Sequence, residues 1–388
     1  MPKTAHERSL RYFRRIGKQM KQAPSAIPFN DLSRQARLFQ SEFVASIAKT
    51  VQSGRYIQGS EHNQFEKEFS EYCGTQFAIG VANGSDALEI ALRAAGVERG
   101  QSVLTVANAG GYATAAILAI GARPLYADVD IDTHLIDLEA FANLISSAPV
   151  AAVVITHLFG RMADVARVTD TCARKGIPVI EDCAQAHGAQ LGGRMAGSIG
   201  AAGCFSFYPT KNLGALGDGG AITTNDPGIA DKARSLRQYG WNGKYKVALS
   251  GGRNSRLDEI QAAVLRIKLP KLRDWNERRR AIANRYCSGL RHDKIRCLGP
   301  SGPGDVVHLF VARCSDRDGL RDHLRVAEIG SDVHYPIPDH LQPAWSHINP
   351  NTRLPVTERL ASEIVSLPCY PELSDDEVDR IIDRINGW

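Results

Sequence analysis

The feature that most constrains the fold is a regular alternation of short apolar runs with helical patterns between residues 77 and 240. Strands are predicted at Phe77–Ala82, Val103–Val106, Pro124–Ala127, Ala151–Ile155, Pro178–Glu181 and Ala221–Thr224, and helices at Asp86–Ala95, Ala113–Ile120, 137–146 and 163–175. Alternation at this spacing is typical of a largely parallel sheet that is covered by helices. The predicted class is therefore α/β.

The pattern changes after residue 255, which indicates a second domain. A helical pattern runs from Ser255 to about Leu290, and residues 291–388 hold patterns of their own, among them a predicted strand at Val306–Ala312. A chain of 388 residues can fill one large core and a smaller one. We predict a large domain over 27–255, a linking helix over 256–290 and a small α+β domain over 291–388.

The net charge of +5 is concentrated at the start of the chain. Residues 1–25 hold seven Lys or Arg and one Glu, and this net +6 leaves −1 for the rest. A neutral body offers no surface for nucleic acid. We predict that residues 1–26 form a basic arm, disordered or loosely docked. No apolar run reaches the roughly 20 residues that a membrane-spanning helix needs.

The cysteines bear on compartment and metal binding. Eight cysteines are scattered along the chain without any C-x-x-C pair. This spacing argues against a zinc ribbon and weakly favours reduced thiols. We expect a cytoplasmic protein without a metal site.

Two segments of the chain are chemically distinctive, and the first of them follows a predicted strand. Asp182 ends an apolar run, and Lys211 lies between apolar residues and a glycine-rich turn. In open α/β sheets, ligands collect where strands end. A lysine nucleophile, a buried acid and a nearby hydroxyl suit a pyridoxal phosphate (PLP) enzyme, which needs a Schiff-base amine, a partner for the pyridinium nitrogen and a phosphate donor.

Other residues could complete such a site. Gln185, three residues after Asp182, could donate to the phenolic oxygen of the PLP ring. Ser206 and the helix start at Gly84 and Ser85 could form a phosphate cup from hydroxyls and backbone N–H groups. Helix capping is the alternative for Asp182 and for Gly84–Ser85.

Two histidines follow predicted strands. His157 and His187 each come after an apolar run and could line the pocket and contact substrate. A satisfied structural histidine is the alternative for both.

Four long segments resemble one family of enzymes. They are Glu181–Ala189, Phe205–Gly220, Asn254–Ala263 and Ser366–Pro368, and they resemble the DegT/DnrJ/EryC1/StrS family of PLP-dependent aminotransferases, which act on keto sugars that are mostly nucleotide-linked. The resemblance covers about residues 27–386. It implies PLP-dependent transferase fold type I (aspartate-aminotransferase-like), with a large mixed, mostly parallel sheet domain, in a homodimer with shared active sites.

The resemblance also implies roles for individual residues. Lys211 would form the Schiff base, Asp182 would contact the pyridine nitrogen and Gln185 the ring hydroxyl. The implied phosphate contacts are Gly84, Ser85, Ser206 and, from the partner subunit, Asn254. L-Glutamate would be the amino donor, pyridoxamine phosphate the intermediate form of the cofactor, and a keto-sugar nucleotide the acceptor.

The segment 334–343 points to a class of sugar. His334 and Tyr335, with His340 and Gln342, resemble a loop of enzymes that aminate the 3-position of keto-deoxy sugars. A dTDP-3-keto-6-deoxyhexose is the first choice, and a C4-keto sugar or a UDP-linked N-acetyl-3-keto sugar is the alternative. A PLP-dependent sugar dehydratase would resemble the family but carry histidine at position 211. A non-catalytic regulatory relative is disfavoured by the intact set of site residues.

One position departs from the family pattern. The family usually places an aromatic residue, which stacks on the PLP ring, eleven positions before the pair that matches Gly121–Ala122, and Gly110 stands there. Tyr112 could supply the ring by a local shift. The departure bears on the substrate pocket rather than on the cofactor.

Overall fold

A computed structural model describes residues 26–299 and 301–388. The predicted basic arm, apart from Ala26, lies outside the described residues. The strands are β1 (Phe77–Val81), β2 (Ser102–Val106), β3 (Arg123–Ala127), β4 (Ala152–Thr156), β5 (Val179–Asp182), β6 (Gln190–Leu191), β7 (Arg194–Met195), β8 (Ala202–Ser206), β9 (Gly220–Thr224), β10 (Ile295–Cys297), β11 (Phe310–Cys314) and β12 (Ile364–Leu367).

The helices lie before, between and after these strands. They are α1 (Leu32–Leu38), α2 (Gln40–Ser53), α3 (Ser60–Cys73), α4 (Gly84–Ala94), α5 (Tyr112–Ala119), α6 (Leu138–Ser147), α7 (Val165–Ala173), α8 (Pro227–Leu236), α9 (Glu259–Lys268), α10 (Leu272–Gly289), α11 (Arg317–Val326), α12 (Pro355–Glu363) and α13 (Asp375–Asn386). In the part of the chain that the structure describes, none of them is long and apolar enough to cross a membrane.

Seven strands form the large sheet, in the order β1-β9-β8-β5-β4-β2-β3. Neighbours from β8 through β5, β4 and β2 to β3 pair in parallel. Only β9 runs against its neighbours, β1 and β8. The sheet is therefore mixed and mostly parallel, and the predicted α/β class is confirmed.

The core occupies both faces of this sheet. Leu104 and Val153 pack into one apolar cluster, and their chain neighbours Val103 and Val154 pack into another on the opposite face. This split follows from the alternation of side chains along a strand. Because both faces are covered, the central strands are buried at nearly every position, as parallel strands usually are.

The smaller lobe is built on the antiparallel sheet β10-β11-β12. Its core includes Tyr286 of α10, Phe310 and Val365 of the sheet, and Ile381 of α13. The segment between the lobes consists of α9, a 3₁₀ turn over Leu269–Lys271 and α10. The turn contains Pro270, whose ring nitrogen cannot donate an α-helical hydrogen bond.

Candidate active site

A cavity of about 630 Å³ lies at the carboxyl ends of the parallel strands and is closed on its other side by the small lobe. Eight of the predicted site residues line it: Gly84, Ser85, Tyr112, Asp182, Ser206, Lys211, His334 and Tyr335. Gln185, Asn254, His157 and His187 are not among its lining residues. The topology thus collects residues from distant parts of the chain at one edge of the sheet.

Lys211 lies in a tight turn after β8. Its backbone N–H donates to Tyr208 O at 2.8 Å. Burial lowers the pKa of the Lys211 amine to about 8, although the charge of Asp182 acts in the opposite direction. A lysine with such a pKa is partly neutral near neutral pH, and the neutral amine is the form that attacks a carbonyl carbon.

Asp182 is the last residue of β5 and is only 5% exposed. Its Oδ1 accepts a hydrogen bond from Ala184 N at 3.1 Å. Burial raises the pKa of the Asp182 carboxyl, while that hydrogen bond and the charge of Lys211 lower it. The side chain therefore places an acidic group at the floor of the cavity, where it can pair with a cationic ring nitrogen.

The start of α4 forms a cradle for an anion. Asn83 Oδ1 accepts from Asp86 N at 2.8 Å and so caps the helix. The N–H groups of Gly84 and Ser85, at the first two helical positions, have no acceptor within the helix and face the cavity. A Cβ at residue 84 would lie 2.7 Å from Cβ of Ser206, so only glycine allows this approach. The arrangement fits a phosphate group.

Gln185 supports the cavity from behind. Its Oε1 accepts from Phe159 N at 2.6 Å, and its Nε2 donates to the Tyr335 hydroxyl at 3.1 Å. Both ends of the amide are thus engaged, and one of them fixes the Tyr335 ring on the cavity wall.

Tyr335 occupies the space beside the glycine that departs from the family pattern. A Cβ at Gly110 would lie 2.8 Å from two atoms of the Tyr335 ring, and Gly110 has a φ of +80°, which disfavours a side chain. The rings of Tyr112 and Tyr335 meet edge to face, with centroids 6.2 Å apart. The structure therefore offers two aromatic rings on this wall, and the sequence analysis had named only Tyr112 for that purpose.

The segment 334–343 is anchored to the large lobe by a buried acid. Asp339 Oδ2 accepts from the Thr114 hydroxyl at 2.6 Å, and Asp339 N donates to Ala107 O at 2.8 Å. Burial raises the pKa of the Asp339 carboxyl to about 7. This anchor holds His334 and Tyr335 against the cavity.

The structure corrects the expectation that His157 and His187 line the pocket. His157 is fully buried, and its Nδ1 accepts from Ala163 N at 3.2 Å, so its Nε2 donates to Glu181 at 2.9 Å. His187 is 1% exposed and packs against the rings of Phe205 and Phe207. Both side chains therefore point into the core, although each residue follows a strand whose carboxyl end lies at the cavity.

Asn254 lies on the surface of a hairpin-like segment that leaves the large lobe. It forms a β-bridge with Gln238, and Trp241 bridges Val247 farther along the same segment. Its side chain is exposed and does not line the cavity of its own chain.

His308 is one of the cavity residues that sequence reasoning missed. It lines the cavity from the small lobe and is 6% exposed. The sequence analysis had not singled out this residue. A single histidine after an apolar pair gives no motif, so only the fold could bring it to the site.

The described residues fit PLP by their chemistry. A lysine of lowered pKa, a buried carboxyl and a cradle that a Cβ would fill lie around one cavity. They correspond to the three attachment points that the cofactor needs. The fold and the site together define an aminotransferase of fold type I.

Comparisons with known proteins support that class. The model of the DegT/DnrJ/EryC1/StrS aminotransferase family matches residues 38–386. The dTDP-3-amino-3,4,6-trideoxy-alpha-D-glucose transaminase of Streptomyces venezuelae is 40% identical over 93% of this chain and 96% of that protein. The dTDP-3-amino-3,6-dideoxy-alpha-D-galactopyranose transaminase of Aneurinibacillus thermoaerophilus is 42% identical over 93% of this chain and 99% of that protein.

A solved structure agrees at the level of the whole fold. The chain is similar to S. venezuelae DesV in complex with a ketimine intermediate, with a TM-score of 0.89, 40% identity and coverage of 94% of this chain and 98% of that one. The chain belongs to the DegT/DnrJ/EryC1/StrS aminotransferase family and is a sugar aminotransferase.

Proposed function

We propose that this chain uses PLP to convert a nucleotide-linked keto sugar into an amino sugar, with L-glutamate as the amino donor. The observation that carries the proposal is Lys211, whose pKa is lowered to about 8 in a cavity that it shares with Asp182 and the cradle at Gly84. PLP, when bound, supplies an electron sink for the carbon that loses its proton during amino transfer.

Lys211 has two tasks in this proposal. Its neutral Nζ would hold the cofactor covalently through the cofactor's aldehyde carbon, with loss of water. When free, the same Nζ would take up a proton and return it at a neighbouring carbon, because the pKa of about 8 lets it exchange protons near neutral pH.

The other cavity residues hold the cofactor in place. Asp182 would keep the ring nitrogen protonated, and the cradle of Gly84, Ser85 and Ser206 would bind the phosphate. Gln185 lies behind the cavity wall and holds Tyr335 through one hydrogen of Nε2; the second hydrogen of Nε2 would donate to the ring hydroxyl of the cofactor.

Two observations support a dTDP-3-keto-6-deoxyhexose as the substrate. Both relatives described above are named for dTDP-linked 3-amino sugars and are at least 40% identical to this chain. The segment 334–343, which resembles a loop of 3-aminating enzymes, places His334 and Tyr335 on the cavity wall. A C4-keto sugar or a UDP-linked N-acetyl-3-keto sugar remains the alternative substrate.

A homodimer with shared active sites is part of the proposal. Helix α2 buries Phe43 and Thr50, yet it also carries Val44 and Val51, seven residues apart on one face, with 61% and 53% exposed. A helix that is apolar on two faces usually packs on both. In this proposal a second copy of the chain covers this face, and the exposed Asn254 of each chain contacts the phosphate that its partner holds.

Product formation tests the proposed reaction. The full chain, with PLP and L-glutamate, should convert dTDP-3-keto-6-deoxyglucose to its 3-amino product, followed by chromatography and mass spectrometry. Lys211→Ala should form no product, and Lys232→Ala, which changes a lysine away from the cavity, should retain activity. Near wild-type turnover by Lys211→Ala would refute the assigned role. If the chain converts only a 4-keto nucleotide sugar, that sugar replaces the dTDP-3-keto-6-deoxyhexose as the proposed substrate.

A further inference from the structure

Two cysteines of the small lobe differ from the other six in exposure. All eight cysteines lie within the described residues, and six of them are buried, whereas Cys287 and Cys297 are half-buried. Cys287 lies in the last turn of α10, and Cys297 is the last residue of β10. A small oxidant in the solvent therefore has access to these two thiols before the others.

The alternation of side chains along β10 turns Cys297 towards α10. Ile295 is buried, Arg296 is exposed and Cys297 is half-buried. Residues two apart on a strand point to the same face, so Cys297 points to the same face as Ile295. That face packs on the core of the small lobe, to which α10 contributes Tyr286, and both cysteines contact this core from its rim.

Hydrogen bonds connect the two thiols. Cys287 Sγ donates to Gly299 O at 3.3 Å. The side chains of Cys287 and Cys297 are also hydrogen-bonded to each other. A thiol carries a single hydrogen, so the hydrogen between the two sulfurs belongs to Cys297. The sulfurs therefore lie in direct contact, with Cys287 as the acceptor.

This contact gives the two thiols different reactivity. The hydrogen bond from Cys297 lowers the pKa of Cys287, and the charge of Arg161 acts in the same direction, against burial. The same hydrogen bond and burial raise the pKa of Cys297. Burial raises the pKa of the six remaining cysteines, which are Cys73, Cys172, Cys183, Cys204, Cys314 and Cys369. Because the thiolate is the reactive form, Cys287 is the most reactive cysteine of the chain.

The pair lies beside a contact between the two lobes. Arg161, which follows β4 in the large lobe, donates to Leu298 O at 3.1 Å, and its Nε lies 3.5 Å from Asp305 Oδ2. Arg280 of α10 donates to Asp305 O at 3.0 Å. A covalent bond between α10 and the end of β10 would therefore form next to residues that hold the lobes together.

We propose that Cys287 and Cys297 form a reversible disulfide when the protein meets hydrogen peroxide or an organic peroxide. The structure shows the reduced form, with both thiols free. Thiols that are already in contact need only a small approach to reach the sulfur–sulfur distance of about 2.05 Å in a disulfide. This modification site is independent of amino transfer.

The chemistry has two steps. The Cys287 thiolate attacks one oxygen of the peroxide, whose O–O bond breaks, and Cys287 becomes a sulfenic acid. The Cys297 sulfur then attacks the Cys287 sulfur, the S–O bond breaks, and its oxygen leaves as water with the proton of Cys297. In sum, two thiols lose two electrons and two protons, and one hydrogen peroxide becomes two waters. A dithiol such as dithiothreitol reverses the result by thiol–disulfide exchange.

Peptide mass spectrometry tests the disulfide in the wild-type chain. The full chain is reduced, freed of reductant, treated with hydrogen peroxide at pH 7, blocked with N-ethylmaleimide and digested with trypsin. Cleavage after Arg285, Arg291, Arg296 and Arg313 places the two cysteines on separate peptides, 286–291 and 297–313. We expect these peptides as a linked pair, two hydrogens lighter than their sum, which dithiothreitol separates.

Two results of this measurement would overturn the proposal. One is a chain in which both peptides carry N-ethylmaleimide after the peroxide treatment. The other is a link from either peptide to Cys314, which lies opposite Ile295 on β11 and leaves on a third peptide. Cys314→Ala is the matched control, and this variant should form the same linked pair as wild type. The wild-type measurement requires no variant, so a variant that fails to fold does not affect it.

Trapping with dimedone tests the order of the two steps. Cys297→Ser leaves the Cys287 sulfenic acid without a second thiol, so dimedone should label Cys287 after peroxide treatment. In Cys287→Ser, the label at Cys297 should be at least tenfold weaker. Equal labels in the two variants would overturn the assignment of Cys287 as the reacting thiol. Neither experiment uses turnover, so a failure here is distinct from a failure of the proposed function.

Discussion

Gly84 shows how a missing side chain shapes the candidate site. The sequence predicted a phosphate cup at Gly84, Ser85 and Ser206. A helix start was the basis for the first two residues, and the short separation from Lys211 in the chain was the basis for Ser206. The sequence did not reveal that residues 84 and 206 touch, since that contact depends on the neighbouring positions of β1, β9 and β8.

Gly84→Ala should therefore weaken cofactor binding. The new Cβ would lie 2.7 Å from Ser206 Cβ, so the start of α4 must move away from the cradle. We expect at least a tenfold higher dissociation constant for PLP, measured by absorbance titration. Gly302→Ala is the matched control, because a Cβ there meets only one atom, at 4.0 Å. Equal affinities of the two variants would contradict the role of the close approach.

His157, His187 and Tyr335 mark the limit of residue-level prediction. Each has a chemically useful side chain, but the direction of that side chain decides its role. His157 and His187 point into the core, and Tyr335 points into the cavity beside Gly110. A sequence pattern gives the residue type and the nearest strand, but a turn after the strand sets the direction.

At the scale of elements, apolar runs predicted six of the seven strands of the large sheet within one or two residues, and β8 was not predicted. Three helices before residue 73 were not predicted, because their apolar residues are few and are interspersed with charged ones. A predicted strand at Val306–Ala312 was misplaced. The backbone of Val306 and His308 instead donates to Gly160 and Phe159, so the strand begins only at Phe310. Such long-range pairing leaves no local pattern.

Glu66 of helix α3 forms an ion pair with Arg237 that should show in acid unfolding. Burial by itself raises the pKa of Glu66, but His62 and Arg237 bring it down to about 2. Glu66 also accepts from Gly80 N at 2.7 Å. Because the folded-state pKa lies below the ordinary 4.5, the stabilisation is complete above pH 4.5 and is lost as the pH falls towards 2.

Glu66→Gln should lower the free energy of unfolding by about 2 kcal/mol at pH 7, and the difference from wild type should shrink below pH 4.5. Urea unfolding at several pH values measures it. Glu71→Gln is the control, because the Glu71 side chain is 65% exposed and lies 4.0 Å from Lys67. A difference that stays constant from pH 7 to pH 3 would show that the charge of Glu66 is not the cause.

The anchor of segment 334–343 should have the opposite pH dependence. The folded chain holds the proton of Asp339 up to about pH 7, whereas the unfolded chain releases it near 3.8. The free energy of unfolding therefore falls as the pH rises through this window.

Asparagine at position 339 cannot ionise. The free energy of unfolding of Asp339→Asn, relative to that of wild type, should therefore rise by about 3 kcal/mol between pH 4 and pH 8. Thermal and urea unfolding of both proteins give the difference. Asp322→Asn, at a side chain that is 73% exposed, should show no such trend. If the difference in the free energy of unfolding between Asp339→Asn and wild type does not change with pH, Asp339 is ionised over the whole range.

At the scale of the whole molecule, the exposed apolar face of α2 predicts self-association. Val51→Glu should convert a dimer into a species near the chain mass of 42.3 kDa, measured by sedimentation velocity. Val326→Glu is the matched control, because this valine is 73% exposed on α11 of the small lobe. If Val51→Glu is still a dimer, the interface lies on another face of the chain.

The family and the fold class were accessible from the sequence, because long motifs around Asp182 and Lys211 are local in the chain; eight of the proposed site residues line one cavity. Residues on the small-lobe wall, above all His308, were not, since the packing of two lobes brings them to the cavity.

The absorbance spectrum of the purified chain with PLP, before and after L-glutamate, tests the central claim most directly. The account predicts a visible band, which Lys211→Ala alters and which glutamate replaces with a near-ultraviolet band. A visible band that no amino donor changes would contradict amino transfer. The absence of any band with PLP present would contradict the cofactor site at Lys211.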